Sequence, residues 1–283
     1  MGLGRFSYTP LVPALVEGGS LGAAQAGYIG AFNLLGYLVG ALAALRIRSV
    51  LGEIRMLKIC LAISLACLGA SVPDFGFVWL AFWRFVVGIA VAVIMIGALT
   101  IVTRHAPPDR LGRATGICFT GVGIGILLSG TLVPVLLGHG LVAAWTGIAL
   151  LGAVAVGVGF WGLGAVPASL PQISQNPETE ATGRPPVTPA VLCLIGGQTM
   201  FSLGLVPHTI YWVDYIVRGL GHDIGLGGFH WVLFGLGAIS GTYLWGRLAD
   251  RMGFRPGLVL VFTTLAAGIV LPVFEPAMWS LVF

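Results

Sequence analysis

Arg5 and Arg84 each lie inside a long apolar run, at 2–16 and 76–103. A guanidinium in such a run is costly unless it faces a cavity or a partner. Counting back from Glu17 at the helical rise places Arg5 about 18 Å deep, and counting from residue 76 places Arg84 about 12 Å deep. Tyr8 follows Arg5 by one turn and shares its face. Asn33 and Tyr37 share a face of the next run. In a later run Gln198 sits near one end, and His208, Tyr211 and Tyr215 form a stripe at i, i+3, i+7. Asp214 lies near the far end of that stripe. The chemistry available is recognition of a polar solute. Guanidiniums pair bidentately with carboxylate or phosphate, tyrosines and amides orient by hydrogen bonds, and a histidine carries a proton.

The cavity candidates are therefore Arg5, Tyr8, Asn33, Tyr37, Gln198, His208 and Tyr211, and the coupling candidates are Arg84, His208 and Asp214. His208 is the only histidine well inside a run; a structural histidine and a proton carrier both fit it. Arg84 divides in the same way between structural use and coupling. Tyr215, Trp212 and Trp231 fit packing or an interfacial belt. The deep zone holds two cations and no fixed anion, which favours an organic anion as solute. If carbonyls, cavity water or further helices satisfy the arginines, a drug-like cation or a sugar is open instead.

Other chemistries lack their residues. There is no His-Glu-x-x-His, no Gly-x-Ser-x-Gly, no paired carboxylate within a run and no nucleotide-binding loop. Gly121, Gly123, Gly125 and Gly130 make a loose Gly-x-Gly pattern with no strand before it, which fits close helix packing. Cys60, Cys67, Cys118 and Cys193 lie in apolar runs without metal-ligand neighbours and read as small buried hydrophobes. No metal, cofactor or enzymatic activity is expected.

The elements that must position these residues follow from composition. Of 283 residues 57% are hydrophobic and 8% charged, with a mean hydropathy of +1.00. A water-exposed domain carries about a quarter charged residues, so the solvent for most of this chain is lipid. A spanning helix takes ~20 apolar residues, which allows roughly nine or ten spans. The runs are continuous rather than alternating, so helices and not barrel strands are expected. They lie at 2–16, 23–45, 56–72, 76–103, 114–137, 141–166, 190–217, 229–248 and 257–273, with a tenth starting at 276–283. The segment 167–189 is polar and proline-rich and reads as a linker between a first bundle (1–166) and a second, partial one (190–283).

The net charge of +4 does not point to nucleic acid, because the basic residues form no single patch. One set of alternate loops holds Arg46, Arg48, Arg55, Lys58, Arg104, Arg110, Arg113, Arg184, Arg247, Arg251 and Arg255; the other holds only Arg218. Eleven against one makes the first set, and the linker, cytoplasmic.

Six runs, a linker and further runs suggest two related halves. Setting Gly52 against Gly253 gives an offset of 201 positions. The stretch Gly246-x-Leu248-Ala249-Asp250-Arg251-x-Gly253-x-Arg255 resembles the loop signature of the major facilitator superfamily, and Arg84 with Gly88 resembles its Arg-x-x-x-Gly signature. The opening Gly2-Leu3-Gly4-Arg5-Phe6-Ser7-Tyr8-Thr9-Pro10-Leu11-Val12-Pro13 is similar to the first helix of the YbfB/YjiJ-type subfamily, as is Tyr211-Trp212-Val213-Asp214-Tyr215-Ile216-Val217-Arg218-Gly219-Leu220-Gly221. The resemblance spans the whole chain. It implies an all-α polytopic transmembrane bundle with two pseudo-repeated halves, here about nine or ten of twelve helices, with the start of the first and most of the last three absent. It further implies a monomeric, ion-coupled secondary transporter of a small molecule in a bacterial inner membrane, with protons as an open choice of coupling ion. Gly246, Asp250, Arg251, Gly253 and Arg255 would form a gating loop, with Asp250 accepting from helix amides or Arg251 and a further partner in an eleventh helix. Two departures stand out. Ser49 occupies the first-half position of Asp250, and the fifth run lacks the Gly-Pro pair of the antiporter signature. A non-transporting receptor or inactive remnant, and less so a membrane enzyme, are the alternatives.

Overall fold

Leucine, valine, alanine and glycine fill the long runs, and a backbone surrounded by such side chains satisfies its own hydrogen bonds as helix. The computed structural model describes residues 1–166 and 188–274, which are helices and short connections with no strand among them. In chain order these are α1 (Gly2–Phe6), a 3₁₀ turn (Thr9–Leu11), α2 (Val12–Glu17), α3 (Ala23–Leu51), α4 (Glu53–Ala70), α5 (Phe77–His105), α6 (Leu111–Leu137), α7 (Leu141–Gly164), α8 (Pro189–Asp214), a π turn (Tyr215–Gly219), α9 (Ile224–Met252) and α10 (Phe254–Phe274). Among the described residues six helices are long and apolar enough to cross a membrane: α3, α5, α6, α7, α8 and α9. The other three expected spans are helical with qualifications. The first is broken, α4 carries Glu53, Arg55 and Lys58 in its opening turns, and the apolar part of α10 is short. The linker expected at 167–189 falls, up to residue 187, outside the described residues, as does the tenth run.

Most helices exceed their expected limits at the arginine-rich end, because helical geometry carries on past the last apolar residue into charged turns. α3 continues to Leu51 and α9 to Met252. α9 also starts earlier than expected, where the Asp223 side chain accepts from the Leu226 amide as an N-cap. That earlier start corrects the reading of His208 as the only histidine well inside a span: His230 lies within α9 and is 3% exposed.

The repeat is visible locally. α3 and α9 are both 29 residues long, and their starts (224 − 23) and ends (252 − 51) are each 201 positions apart. Each passes to the next helix through a single glycine, Gly52 (φ 74°, ψ 160°) and Gly253 (φ 86°, ψ 155°). That positive-φ conformation suits glycine alone, so one residue ends one helix and starts the next.

Two glycine-lined contacts organise the bundle. α3 lies against α5, where Gly36, Gly40 and Gly88 bring backbone to backbone; a Cβ on Gly36 would come within 2.0 Å of the Phe85 carbonyl oxygen. α6 lies along α9 through Gly112, Gly116, Gly123 and Gly130 on one side and Gly228, Gly235 and Gly246 on the other. Small residues at such seams let helices approach closely in lipid.

Candidate functional site

The first helix was expected to be continuous. It breaks at Ser7–Tyr8, because Pro10 lacks the N–H that would reach the Phe6 carbonyl and its ring crowds that turn; the two prolines in the sequence were the available signal. At the break the side chains turn to other elements. The Tyr8 hydroxyl donates to the Ala26 carbonyl at 2.9 Å, and Thr9 Oγ1 donates to the Thr209 carbonyl of α8.

Arg84 of α5 enters this break. Its Nη2 donates to the Arg5 carbonyl at 3.0 Å, and its guanidinium carbon lies 5.0 Å from the centre of the Tyr8 ring, a cation–π arrangement. Arg84 is 1% exposed. The signature Arg84-x-x-x-Gly88 has a packing basis. Gly88 lets the Asn33 carbonyl approach so closely that a Cβ would stand 2.2 Å from it, and Asn33 Nδ2 donates to the Arg84 carbonyl at 2.8 Å. Arg5 lies over two rings, 5.1 Å from the centre of Phe6 and 5.2 Å from that of Tyr37. The Tyr37 hydroxyl donates to Met95 Sδ at 2.8 Å. Among the described residues no carboxylate pairs with either arginine. Arg5, Arg84, Tyr8, Asn33 and Thr209 line one cavity of about 20 Å³.

Five of the cavity and coupling candidates thus gather: Arg5, Tyr8, Asn33, Tyr37 and Arg84. Those of α8 lie apart from the cavity wall. Gln198 is exposed. His208 is half-buried, with Nδ1 in hydrogen-bond contact with the Gly204 carbonyl at 3.1 Å, and its ring stacks on Trp212 at 5.3 Å. Tyr211 is partly exposed, and its hydroxyl lies against Gly27 of α3. Asp214 is held bidentately by Arg218, both contacts at 2.6 Å, which places it in an ion pair at the end of α8. Thr9 and Thr209, which join the break to α8, were not singled out by sequence reasoning; nothing in their spacing marks them. Of the cysteines, Cys60 and Cys67 are buried as expected, whereas Cys118 is half-buried and Cys193 exposed.

At the arginine-rich end Asp250 accepts from the Gly112 amide at 2.7 Å (Oδ1) and the Arg113 amide at 2.8 Å (Oδ2). These amides open α6, so the carboxylate sits at a helix N-terminus where unpaired N–H groups and the helix dipole favour negative charge. Of the acceptor roles expected for Asp250, the one met among the described residues is that of helix amides, and the helix is α6: the second-half loop reaches across to the first half. The approach requires Gly246 and Gly112, since a Cβ on either would fall within 2.4 Å of the other's carbonyl oxygen. Gly253 makes the turn, and Arg251 and Arg255 are exposed. Ser49, at the corresponding first-half position, instead donates to the Arg46 carbonyl at 2.8 Å. Sequence reasoning also missed an ion pair between Glu53 and Arg104 at 3.4 Å, with the Glu53 side chain 4% exposed. The lone acid in a basic loop was its signal.

Comparison with known proteins agrees with this architecture. A chloramphenicol resistance protein of Streptomyces lividans is 30% identical over 296 residues, covering 98% of this chain and 69% of that protein. The crystal structure of a D-xylose-proton symporter shares the fold, with a TM-score of 0.70 at 17% identity, covering 99% of this chain and 75% of that one. The family model described as "Uncharacterised MFS-type transporter YbfB" matches residues 1–283. The chain is an integral membrane protein that belongs to the major facilitator superfamily of transporters, in its YbfB-type family.

Proposed function

We propose that this chain is a secondary active transporter that moves a small organic anion across the bacterial inner membrane by alternating access, coupled to an ion. The observation that carries the substrate class is the pair of arginines. Arg5 and Arg84 meet at the break in the first helix with aromatic rings and a carbonyl as partners and no carboxylate among the described residues. Rings and a carbonyl solvate a cation in part; a carboxylate solute supplies the missing charge and a matching fork. The cavity of about 20 Å³ is too small for such a solute, so the reading requires the site to open. Alternating access supplies that opening, with the Asp250 contact to α6 as the latch at the arginine-rich end. That end faces the cytoplasm in this reading, and the working unit is a monomer. Protons suit the coupling role, with Arg84, His208 and Asp214 as the groups to test.

The reading is tested by flux into proteoliposomes across a panel of organic anions. Arg5→Gln abolishes uptake of the transported anion, while Arg5→Lys keeps part of it because charge survives and the fork is lost. Undiminished flux in Arg5→Gln rejects the anion reading. A second reading, export of a drug-like compound, is favoured by the relative named for chloramphenicol resistance. Chloramphenicol flux that is indifferent to Arg5→Gln would select it.

A further inference from the structure

Arg84 presents an imbalance that the substrate reading leaves standing in the closed arrangement. Of its three guanidinium nitrogens only Nη2 has a hydrogen-bond partner among the described residues; Nε and Nη1 are buried without one. At 1% exposure the side chain leaves no room for a carboxylate from elsewhere to reach it except through the cavity it lines. Arg5 lines the same cavity. The other side-chain donors on that wall are committed: the Tyr8 hydroxyl to Ala26, Asn33 Nδ2 to the Arg84 carbonyl, the Thr9 hydroxyl to Thr209 and the Thr209 hydroxyl to Val206. The two guanidiniums are the charged groups of the wall, and among the described residues no carboxylate lines it.

The space, about 20 Å³, is close to what one water-sized particle needs and far below the few hundred Å³ of an organic ligand site. A water would satisfy hydrogen bonds and leave two like charges together in a low-dielectric layer. A small monovalent anion answers both demands. We propose that a halide-class anion, chloride under physiological conditions, binds between Arg5 and Arg84 in the closed arrangement. It uses the donors that a carboxylate would use, so chloride and an organic anion exclude one another. The site stands on the burial of Arg84 and the size of the cavity and does not depend on which solute is carried.

The test is thermal unfolding of the full chain, purified in detergent, in sodium chloride, sodium bromide and sodium gluconate at equal ionic strength. Gluconate is too large for the cavity. Chloride and bromide raise the unfolding temperature over gluconate by about 5 °C or more once well above their dissociation constants, and Arg5→Gln loses that difference. Arg84→Gln is the harder variant to fold, so a second measurement uses the unaltered chain: bromide located by anomalous diffraction, expected between the two guanidiniums. Equal unfolding temperatures in the three salts overturn the proposal. So does a halide effect of unchanged size in Arg5→Gln, or bromide bound only elsewhere. A halide shift that persists while no organic anion is transported removes the substrate reading and leaves the halide site intact.

Discussion

Asp250 and Arg84 are both ionised groups held by backbone, with opposite outcomes. The Asp250 carboxylate takes two amides of α6 at 2.7 and 2.8 Å, so each oxygen has a donor and the helix dipole adds to the attraction. Hydrogen bonds to a charged group contribute about 1.5–3 kcal/mol each. The fit is a closed one, which is what a latch between two halves needs. Asp250→Asn removes the charge and turns an amide donor toward one of the two backbone donors. It should leave membrane insertion intact and slow transport several-fold, measured as turnover per inserted protein; wild-type turnover would remove Asp250 from the gating cycle. Arg84 spends one nitrogen on a carbonyl and its face on Tyr8, keeping donors in hand at the cavity. Sequence legibility splits along the same line. Asp250 could be read as a helix-amide acceptor from its loop motif, but which helix it would meet could not, because that depends on how the halves dock. Arg84 could be read as deep, but its contact with the Arg5 carbonyl exists only because the first helix breaks.

Helices here are placed by what their glycines admit, and the cost of filling a glycine depends on what it faces. Gly36 and Gly88 face backbone: added Cβ atoms would lie 2.0 Å from the Phe85 carbonyl oxygen and 2.2 Å from that of Asn33. Neither neighbour can move without moving its helix. Gly36→Ala and Gly88→Ala should each destabilise the α3–α5 seam by about 1–3 kcal/mol, the usual range for overpacking, seen as a lower unfolding temperature in detergent. Gly88→Ala should also weaken transport, because the Asn33–Arg84 contact one turn away shifts with it. A Cβ added at Gly27 would meet only the end of the Tyr211 side chain, which can rotate away; Gly27→Ala should change stability by less than either. Equal losses at all three would mean that the seams are softer than their backbone contacts imply. Apolar run length made most of these helices legible. The break after Phe6 is marked by Pro10 and Pro13, a signal outside the reach of an apolar count, which ignores a missing N–H. The π turn at Tyr215–Gly219 has no composition signal, and there the Asp214–Arg218 pair spans the junction.

At the scale of the whole molecule the second half is joined to the first at the arginine-rich end: α9 reaches α6 through Asp250 and the Gly112–Gly246 approach. At the first-half position corresponding to Asp250, Ser49 bonds to its own helix. Which compartment that end faces follows from charge. The connections holding Arg46 to Lys58, Arg104 to Arg113 and Arg247 to Arg255 share one end, tied together by the Glu53–Arg104 pair and the Asp250 bonds to α6. The α6–α7 turn at His139 and the segment with Glu17 lie at the opposite end, since each spanning helix reverses direction. Arginine and lysine near span ends are retained on the cytoplasmic side, so the arginine-rich end should be cytoplasmic. This can be read on intact cells with a membrane-impermeant thiol reagent, after the native cysteines are replaced by alanine. Cysteine introduced by His139→Cys should label from outside, and cysteine introduced by Asp109→Cys only after the membrane is opened. The reverse pattern would invert the orientation and make the Asp250 contact an outer latch; labelling of both positions from outside would contradict the spanning of α6 itself.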